Sequence, residues 1–386
     1  MRLNKLAKKI FAAGLAVSLM MANAGIGFAG SYPAEKQATG TKFEFNKYLI
    51  LDSNAKVPNA VIEFDIVKGT AVPKQDGKME VYEGVGTPTI ASVTFAPSDT
   101  MYTTKQGTDD ITLPEGKSYA KQKVTVDFTN VTFAEPGVYR YNVTEKDPAN
   151  TAITKDSATK YLDVYVIDTE GTLSVGGYTL HTTTDAPDVN TSTSGTAGGS
   201  LADKTDGFTN TFESHDLYIK KAVEGNQASR DKYFKFTVTL SGTAGTTFNV
   251  DISNAASNTG ETASTAAANQ NKANPTTITI PEGSTEIATD FYLSHDDYII
   301  VRGLAEGTTY AVTEDAEDYT PAAAAADGFT DAASGTMQKT DIKTSYKNTR
   351  QGTIPTGVIL DSAPFILIIG LAAAALIFTA ARKKVR

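Results

Sequence analysis

The chain has no cysteine and no tryptophan among its 386 residues. Without cysteine there is no disulfide framework, no thiolate nucleophile and no thiolate metal site, so any covalent staple must come from other side chains. Histidine is nearly absent: His181, His215 and His295 are scattered without ligand spacing, which argues against a metal or histidine-based catalytic centre. Positive charge is outweighed, with 35 Lys and Arg against 44 Asp and Glu and a formal charge of −9. No basic patch with interleaved aromatics stands out, so nucleic acid is not an expected partner. Neither a Gly-rich phosphate loop nor a Ser-His-Asp pattern is visible, so no cofactor is expected and the chain does not read as an enzyme. Long apolar runs occur only at the two ends.

At the N-terminus Arg2, Lys5, Lys8 and Lys9 precede a short apolar stretch, Ile10 to Met21. Small-residue cleavage sites follow at Ala22-Asn-Ala24 and Gly27-Phe-Ala29. This is the pattern of a secretory signal peptide, assigned to residues 1–29 with the earlier site as the alternative. At the C-terminus Ala363 to Ala381 carries no charge and is just long enough to cross a bilayer as a helix. Arg382-Lys-Lys-Val-Arg386 behind it marks the cytoplasmic side.

Between the ends, short alternating runs of Thr, Val, Tyr and Phe are separated by Gly, Pro, Asn and Asp, the signature of an all-β sandwich. Two low-complexity stretches, Pro187 to Ser200 and Asn254 to Thr277, read as loops. The region also repeats internally. The first half runs from Lys42-Phe-Glu-Phe-Asn-Lys-Tyr-Leu-Ile-Leu51 through Gly137-Val-Tyr-Arg-Tyr-Asn-Val-Thr-Glu145 to Gly207-Phe-Thr-Asn-Thr-Phe212. The second runs from Leu217-Tyr-Ile-Lys-Lys-Ala-Val223 through Gly307-Thr-Thr-Tyr-Ala-Val-Thr-Glu314 to Thr344-Ser-Tyr-Lys-Asn348. This divides the chain into a linker over 30–41, domains over 42–213 and 214–350, and a C-terminal segment over 351–386.

Alternate residues of a strand face the same side of a sheet. Phe43, Phe45, Lys47, Leu49 and Leu51 therefore share a face, as do Leu217, Ile219, Lys221 and Val223. Tyr139, Tyr141 and Val143 align with Glu145, Tyr310 and Val312 with Glu314, Phe208 and Phe212 with Asn210, and Tyr346 with Asn348. One lysine on an apolar face usually sits near a strand end and extends its amine to water. Six polar residues, in the same order in two halves, call for a common cause. A buried lysine loses hydration of its charged form and becomes a neutral nucleophile. A buried glutamate tends to stay protonated, so it can donate to the asparagine carbonyl and shuttle protons as ammonia leaves. The product is an amide between the lysine and asparagine side chains.

These strands, with Thr132-Phe-Ala-Glu-Pro-Gly137 leading into the first glutamate run and Gly303-Leu-Ala-Glu306 into the second, resemble the backbone pilins of Gram-positive bacteria, of the streptococcal T-antigen type. Ile354-Pro355-Thr356-Gly357, ahead of an apolar span and a basic tail, resembles a variant sortase sorting signal with one residue fewer than Leu-Pro-x-Thr-Gly. The resemblance implies two tandem immunoglobulin-like domains of the collagen-adhesin B type, flanked by a signal peptide and a C-terminal transmembrane sorting helix. It implies Lys47–Asn210 and Lys221–Asn348 isopeptide bonds, with Glu145 and Glu314 as their catalytic partners; Lys220 is the rival of Lys221 but falls on the opposite face. It further implies cleavage between Thr356 and Gly357 by a pilin-class sortase, and a covalent polymer of copies of the chain. The acceptor lysine would be Lys204, although its spacing to Asn210 is a residue short of the family pattern, with Lys160 in reserve. The expected location is the cell wall and surface, with peptidoglycan and minor pilins as further partners and the membrane holding only the precursor. The competing expectation is a monomeric or minor-subunit wall-anchored adhesin that binds a host ligand.

Overall fold

A computed structural model of the chain describes residues 32–188, 203–254, 274–353 and Ala372. The signal peptide, the sorting motif 354–357, the C-terminal segment beyond it apart from Ala372, and most of both low-complexity stretches lie outside the described residues. Among the described residues no helix is long and apolar enough to cross a membrane.

The regular structure of the described residues is almost entirely strand, arranged as two sandwiches in tandem, each with its own apolar core. In the first, one sheet orders the strands Ile153–Thr154, Gly207–Phe212, Lys42–Asp52, Lys117–Asp127 and Thr89–Ile90. The facing sheet orders Thr172–His181, Lys160–Thr169, Gly137–Glu145 and Phe64–Lys68. In the second, a six-stranded sheet has His215–Glu224 between Asp297–Leu304 and Ile342–Thr349, and a four-stranded sheet has Phe234–Ser241 beside Thr309–Asp315.

The sheets are antiparallel except at informative places. In each sandwich the first long strand pairs in parallel with the last: Lys47 lies opposite Phe208, and Lys221 opposite Tyr346. We refer to these as the lysine strand and the asparagine strand, and to Gly137–Glu145 and Thr309–Asp315 as the glutamate strands. The parallel approach in the first sandwich is close enough to demand glycine at its start: a Cβ on Gly207 would stand 1.7 Å from the Asn46 carbonyl oxygen.

The lysine strand Lys42–Asp52 is buried on both faces through its centre, since Asn46, Tyr48 and Ile50 are buried as well as Phe45, Lys47, Leu49 and Leu51. Tyr119 and Ile111 cover the face of Tyr48 and Ile50, with Tyr102 and Leu113 packed alongside. Their covering segment is contributed from elsewhere in the sequence, so the strand's own pattern could not announce it. The linker expected over 30–41 is partly ordered, since Ala38–Thr39 pairs with Thr132–Phe133 and Ala38 is buried.

The first sandwich also holds a buried ion cluster on its glutamate sheet. Arg140 binds Asp163 through Nε and Nη2, both at 2.8 Å, and His181 Nε2 lies 3.0 Å from the same carboxylate. Burial works to raise the Asp163 carboxyl, but Arg140 and His181 together hold it below its usual range. Removing one partner of such a pair leaves an uncompensated buried charge. Asp163→Ala is therefore expected to destabilise the first sandwich by about 3–5 kcal/mol in urea unfolding at neutral pH, and Asp163→Asn by less.

Candidate functional site

The lysine strand of each sandwich carries its lysine on the face that meets the core, and the structure buries it completely. Lys47 and Lys221 are both fully inaccessible, as are Asn210 and Asn348. The paired parallel strands put the asparagine two residues beyond the lysine's cross-strand neighbour in both cases, Asn210 after Phe208 and Asn348 after Tyr346. The glutamate comes from the facing sheet. Its side chain is fully buried in both sandwiches. Each glutamate pairs across its own sheet with a phenylalanine, Glu145 with Phe64 and Glu314 with Phe236.

In the first sandwich the three groups touch. Lys47 Nζ lies 2.5 Å from Glu145 Oε2 and contacts Asn210 Oδ1, and Asn210 Nδ2 donates to Glu145 Oε1. One carboxylate thus bridges the lysine nitrogen and the amide nitrogen. Phe45, Phe64 and Phe208 form a mutual ring cluster beside them, with centroids 5.4–5.6 Å apart. Burial pulls the Lys47 amine down to about 8, against the opposing pull of Glu145.

The second sandwich repeats the constellation with looser contacts. Lys221 Nζ lies 2.5 Å from Glu314 Oε1, although the approach is an off-axis ion-pair contact and not a directed hydrogen bond. Asn348 Nδ2 donates to the same oxygen at 3.1 Å. Asn348 Oδ1 and Glu314 Oε2 are buried without a hydrogen-bond partner among the described residues. Lys221 Nζ also sits 4.3 Å from the centroid of the Phe234 ring. Burial draws the Lys221 amine down to about 8 and pushes the Glu314 carboxyl up. Lys220 points the other way. It is partly exposed and lies 3.6 Å from Asp296.

The structure differs from the sequence reading in the role of the glutamate. Sequence reasoning expects it to donate to the asparagine carbonyl, whereas both glutamates sit on the amide-nitrogen side. The carbonyl of Asn210 is met instead by a group that periodicity could not find. The backbone N–H of Asp156, in the loop before the strand Lys160–Thr169, donates to Asn210 Oδ1 at 2.8 Å. Lys160, the reserve acceptor, is buried and lies 3.1 Å from Asp156 Oδ2, so it is not presented to an incoming chain. Lys204 is exposed, pairs by a backbone bridge with His181, and stands apart from both clusters. Among the described residues no group of acidic or histidine side chains could hold a metal ion.

Lys47 provides a pH test in a chain that cannot form an amide. With its amine near 8 in the fold against an ordinary 10.5, the unfolded chain binds more protons between those values, so stability rises with pH there and the burial penalty is full below 8. In Asn210→Ala, urea unfolding should show stability increasing from pH 8 to 9.5. The increase should vanish when Lys47→Met is added.

The comparisons with known proteins agree with this architecture. Residues 40–213 match the family described as a Spy0128-like isopeptide containing domain. Residues 215–350 match a domain of unknown function (DUF7601). A protein named "Pilin" from Streptococcus pyogenes serotype M1 is 28% identical over 348 residues, covering 86% of this chain and 88% of that protein. The crystal structure of the major pilin from Streptococcus pyogenes superposes with a TM-score of 0.50 at 22% identity, covering 82% of this chain and 100% of that one. Residues 40–213 are thus similar to the Spy0128-like isopeptide containing domain family, and the chain as a whole is similar to streptococcal pilins.

Proposed function

We propose that the chain is a structural subunit of a covalent cell-surface pilus, and that each sandwich makes its own internal amide, Lys47 to Asn210 and Lys221 to Asn348. The observation that carries this reading is the pair of buried Lys-Glu-Asn clusters, repeated at the same strand positions in a chain whose first sandwich matches an isopeptide containing domain family. The relatives are pilins, so the role is structural and the chemistry is a single turnover of the protein on itself.

The step follows from the contacts in the first sandwich. The neutral Lys47 amine attacks Asn210 Cγ, and the carbonyl π pair moves to Oδ1. Glu145 accepts a proton from Nζ at Oε2 and delivers one to Nδ2 from Oε1, so the amide nitrogen departs as ammonia while the carbonyl re-forms. One amine and one primary amide become one secondary amide and NH3. Charged Lys47 with ionised Glu145 carries the same number of protons as neutral lysine with the protonated acid. The reactive form is therefore reached by internal proton transfer, without exchange with solvent. Contact inside a dry core supplies the proximity that free side chains lack.

For assembly, a sortase would cleave between Thr356 and Gly357 and join the Thr356 carbonyl to Lys204 of the next copy. The exposed position of Lys204 supports that assignment over the buried Lys160. Peptidoglycan and minor pilins complete the partners, and the apolar span 363–381 would hold the precursor at the membrane.

Intact mass tests the internal bonds. The soluble chain, residues 30–356, is expected to weigh two ammonia molecules less than its sequence, and Glu145→Ala and Glu314→Ala one each. A folded chain at full sequence mass would sink the reading. Treated as a cross-link over 163 positions, the first bond contributes about 5 kcal/mol through unfolded-state entropy. Its loss in Glu145→Ala should lower the melting temperature by about 10–20 °C. In cells or with the cognate sortase, Lys204→Arg is expected to abolish the polymer ladder and leave monomer, whereas a singly anchored adhesin would not notice the change.

A further inference from the structure

The two clusters differ in one respect that bears on chemistry. In the first sandwich, the asparagine carbonyl that must take up negative charge is already bound by a backbone donor, Asp156 N–H at 2.8 Å. In the second, Asn348 Oδ1 is buried with no partner among the described residues. Hydrogen-bond donors aimed at an oxygen that becomes anionic are among the largest single contributions an active site makes.

The loop that presents this N–H is tied down by its own side chain. Asp156 Oδ1 accepts the Ala158 N–H at 3.0 Å, which closes a tight turn. Asp156 Oδ2 accepts from Thr209 N at 3.4 Å and lies 3.1 Å from Lys160 Nζ. Thr209 is the neighbour of Asn210 on the asparagine strand, so the carboxylate fastens the loop to the strand whose side chain reacts. Lys160 is buried in turn, its amine 5.0 Å from the centroid of Phe208. An ion pair placed here has no use in exposing an acceptor lysine. It does fix one peptide N–H over one carbonyl.

The same donor settles which way the amide points. With Asp156 N–H on Oδ1, the oxygen is committed and Nδ2 is turned to Glu145 Oε1. A flipped amide would set its NH2 against both the N–H and the lysine amine. The leaving nitrogen therefore faces the group that protonates it.

The geometry points to Asp156 as a further participant in the first cross-link: its backbone N–H is the oxyanion donor for Asn210, and its carboxylate, paired with Lys160, is the positioning group that holds that N–H in place. This rests on the self-linkage reading above. In the step, the electron pair displaced from the Asn210 carbonyl by the lysine nitrogen gathers on Oδ1 against the Asp156 N–H. It returns to carbon as ammonia leaves, and no proton is transferred to or from Asp156.

The test follows both bonds in one molecule. The 30–356 chain is made as inclusion bodies, held unlinked in urea, and refolded. Aliquots are digested, and the two cross-linked peptides are quantified by mass against time. Asp156→Pro deletes the N–H, Asp156→Ala keeps it but releases the loop, and Asp156→Asn keeps the N–H and the turn to Ala158 but gives up the acceptor that faces Thr209 and Lys160. Relative to the second bond of the same molecule, the first should slow by ~100-fold in Asp156→Pro, the range set by loss of one oxyanion donor. It should slow less in Asp156→Ala, and least in Asp156→Asn, which keeps the Ala158 turn. The plateau rate should fall while its pH profile moves only downward, because removing the Asp156 carboxylate takes away one influence that raises the Lys47 amine. If Asp156→Pro prevents the first sandwich from folding, seen as lost near-ultraviolet dichroism with the second bond intact, Asp156→Ala decides alone. An unchanged ratio of first to second bond in Asp156→Ala and in folded Asp156→Pro would overturn the proposal. Failure of both bonds to form in the unsubstituted chain would instead overturn the self-linkage reading beneath it.

Discussion

A lysine amine placed in a dry apolar interior sets the terms for the rest of this fold. Burial of a charged group without a partner costs several kcal/mol, so the interior must neutralise it, pair it or consume it. In both sandwiches the answer begins with a glutamate delivered from the opposite sheet and an asparagine delivered from the neighbouring parallel strand. Three strands distant in sequence have to meet within contact distance for the core to be tolerable at all. The aromatic residues around them, Phe45, Phe64 and Phe208 in one sandwich and Phe234 and Phe236 in the other, keep water away and make the demand sharper. The polar cluster thus ties the two sheets together at a point where an unpartnered charge would be costly.

The two copies of the arrangement are not equivalent. In the first, every polar atom that takes part in the proposed step has a partner positioned for it. In the second, a single glutamate oxygen serves both nitrogens, and the asparagine oxygen has no donor among the described residues. The common strand pairing is therefore sufficient to bring the residues together, while the quality of their contacts is decided by local loops that the two halves do not share.

That division also explains what was legible in the sequence. Strand periodicity reports which side of a sheet a residue faces, and it was enough to set Lys221 apart from Lys220 and to align six polar residues with apolar neighbours. It carries no information about groups that come from the backbone of irregular segments, so the Asp156 N–H left no trace. Nor does a strand's own pattern reveal what covers its second face, which is why the burial of Tyr48 under Tyr119 and Ile111 was invisible. Lys160 shows the opposite difficulty: a lysine in a polar-looking stretch reads as solvated, and only the position of Asp156 gives it a buried partner. The role of the glutamate was misjudged for a related reason. Sequence can place a carboxyl near an amide, but it cannot say which end of the amide it meets.

The parallel pairing of first and last strands has a mechanical meaning. Because the two strands run in the same direction, the chain enters a sandwich at one end of the pair and leaves at the other. A pull on the two ends therefore slides the strands past each other along their length. In that shear geometry the rungs of the ladder bear the load together, in contrast to a hairpin, which unzips one rung at a time. The Lys47–Asn210 contact lies across the sliding plane, and Lys221 and Asn348 stand at the equivalent positions of the other strand pair, so an amide formed at either place would resist relative displacement of the strands.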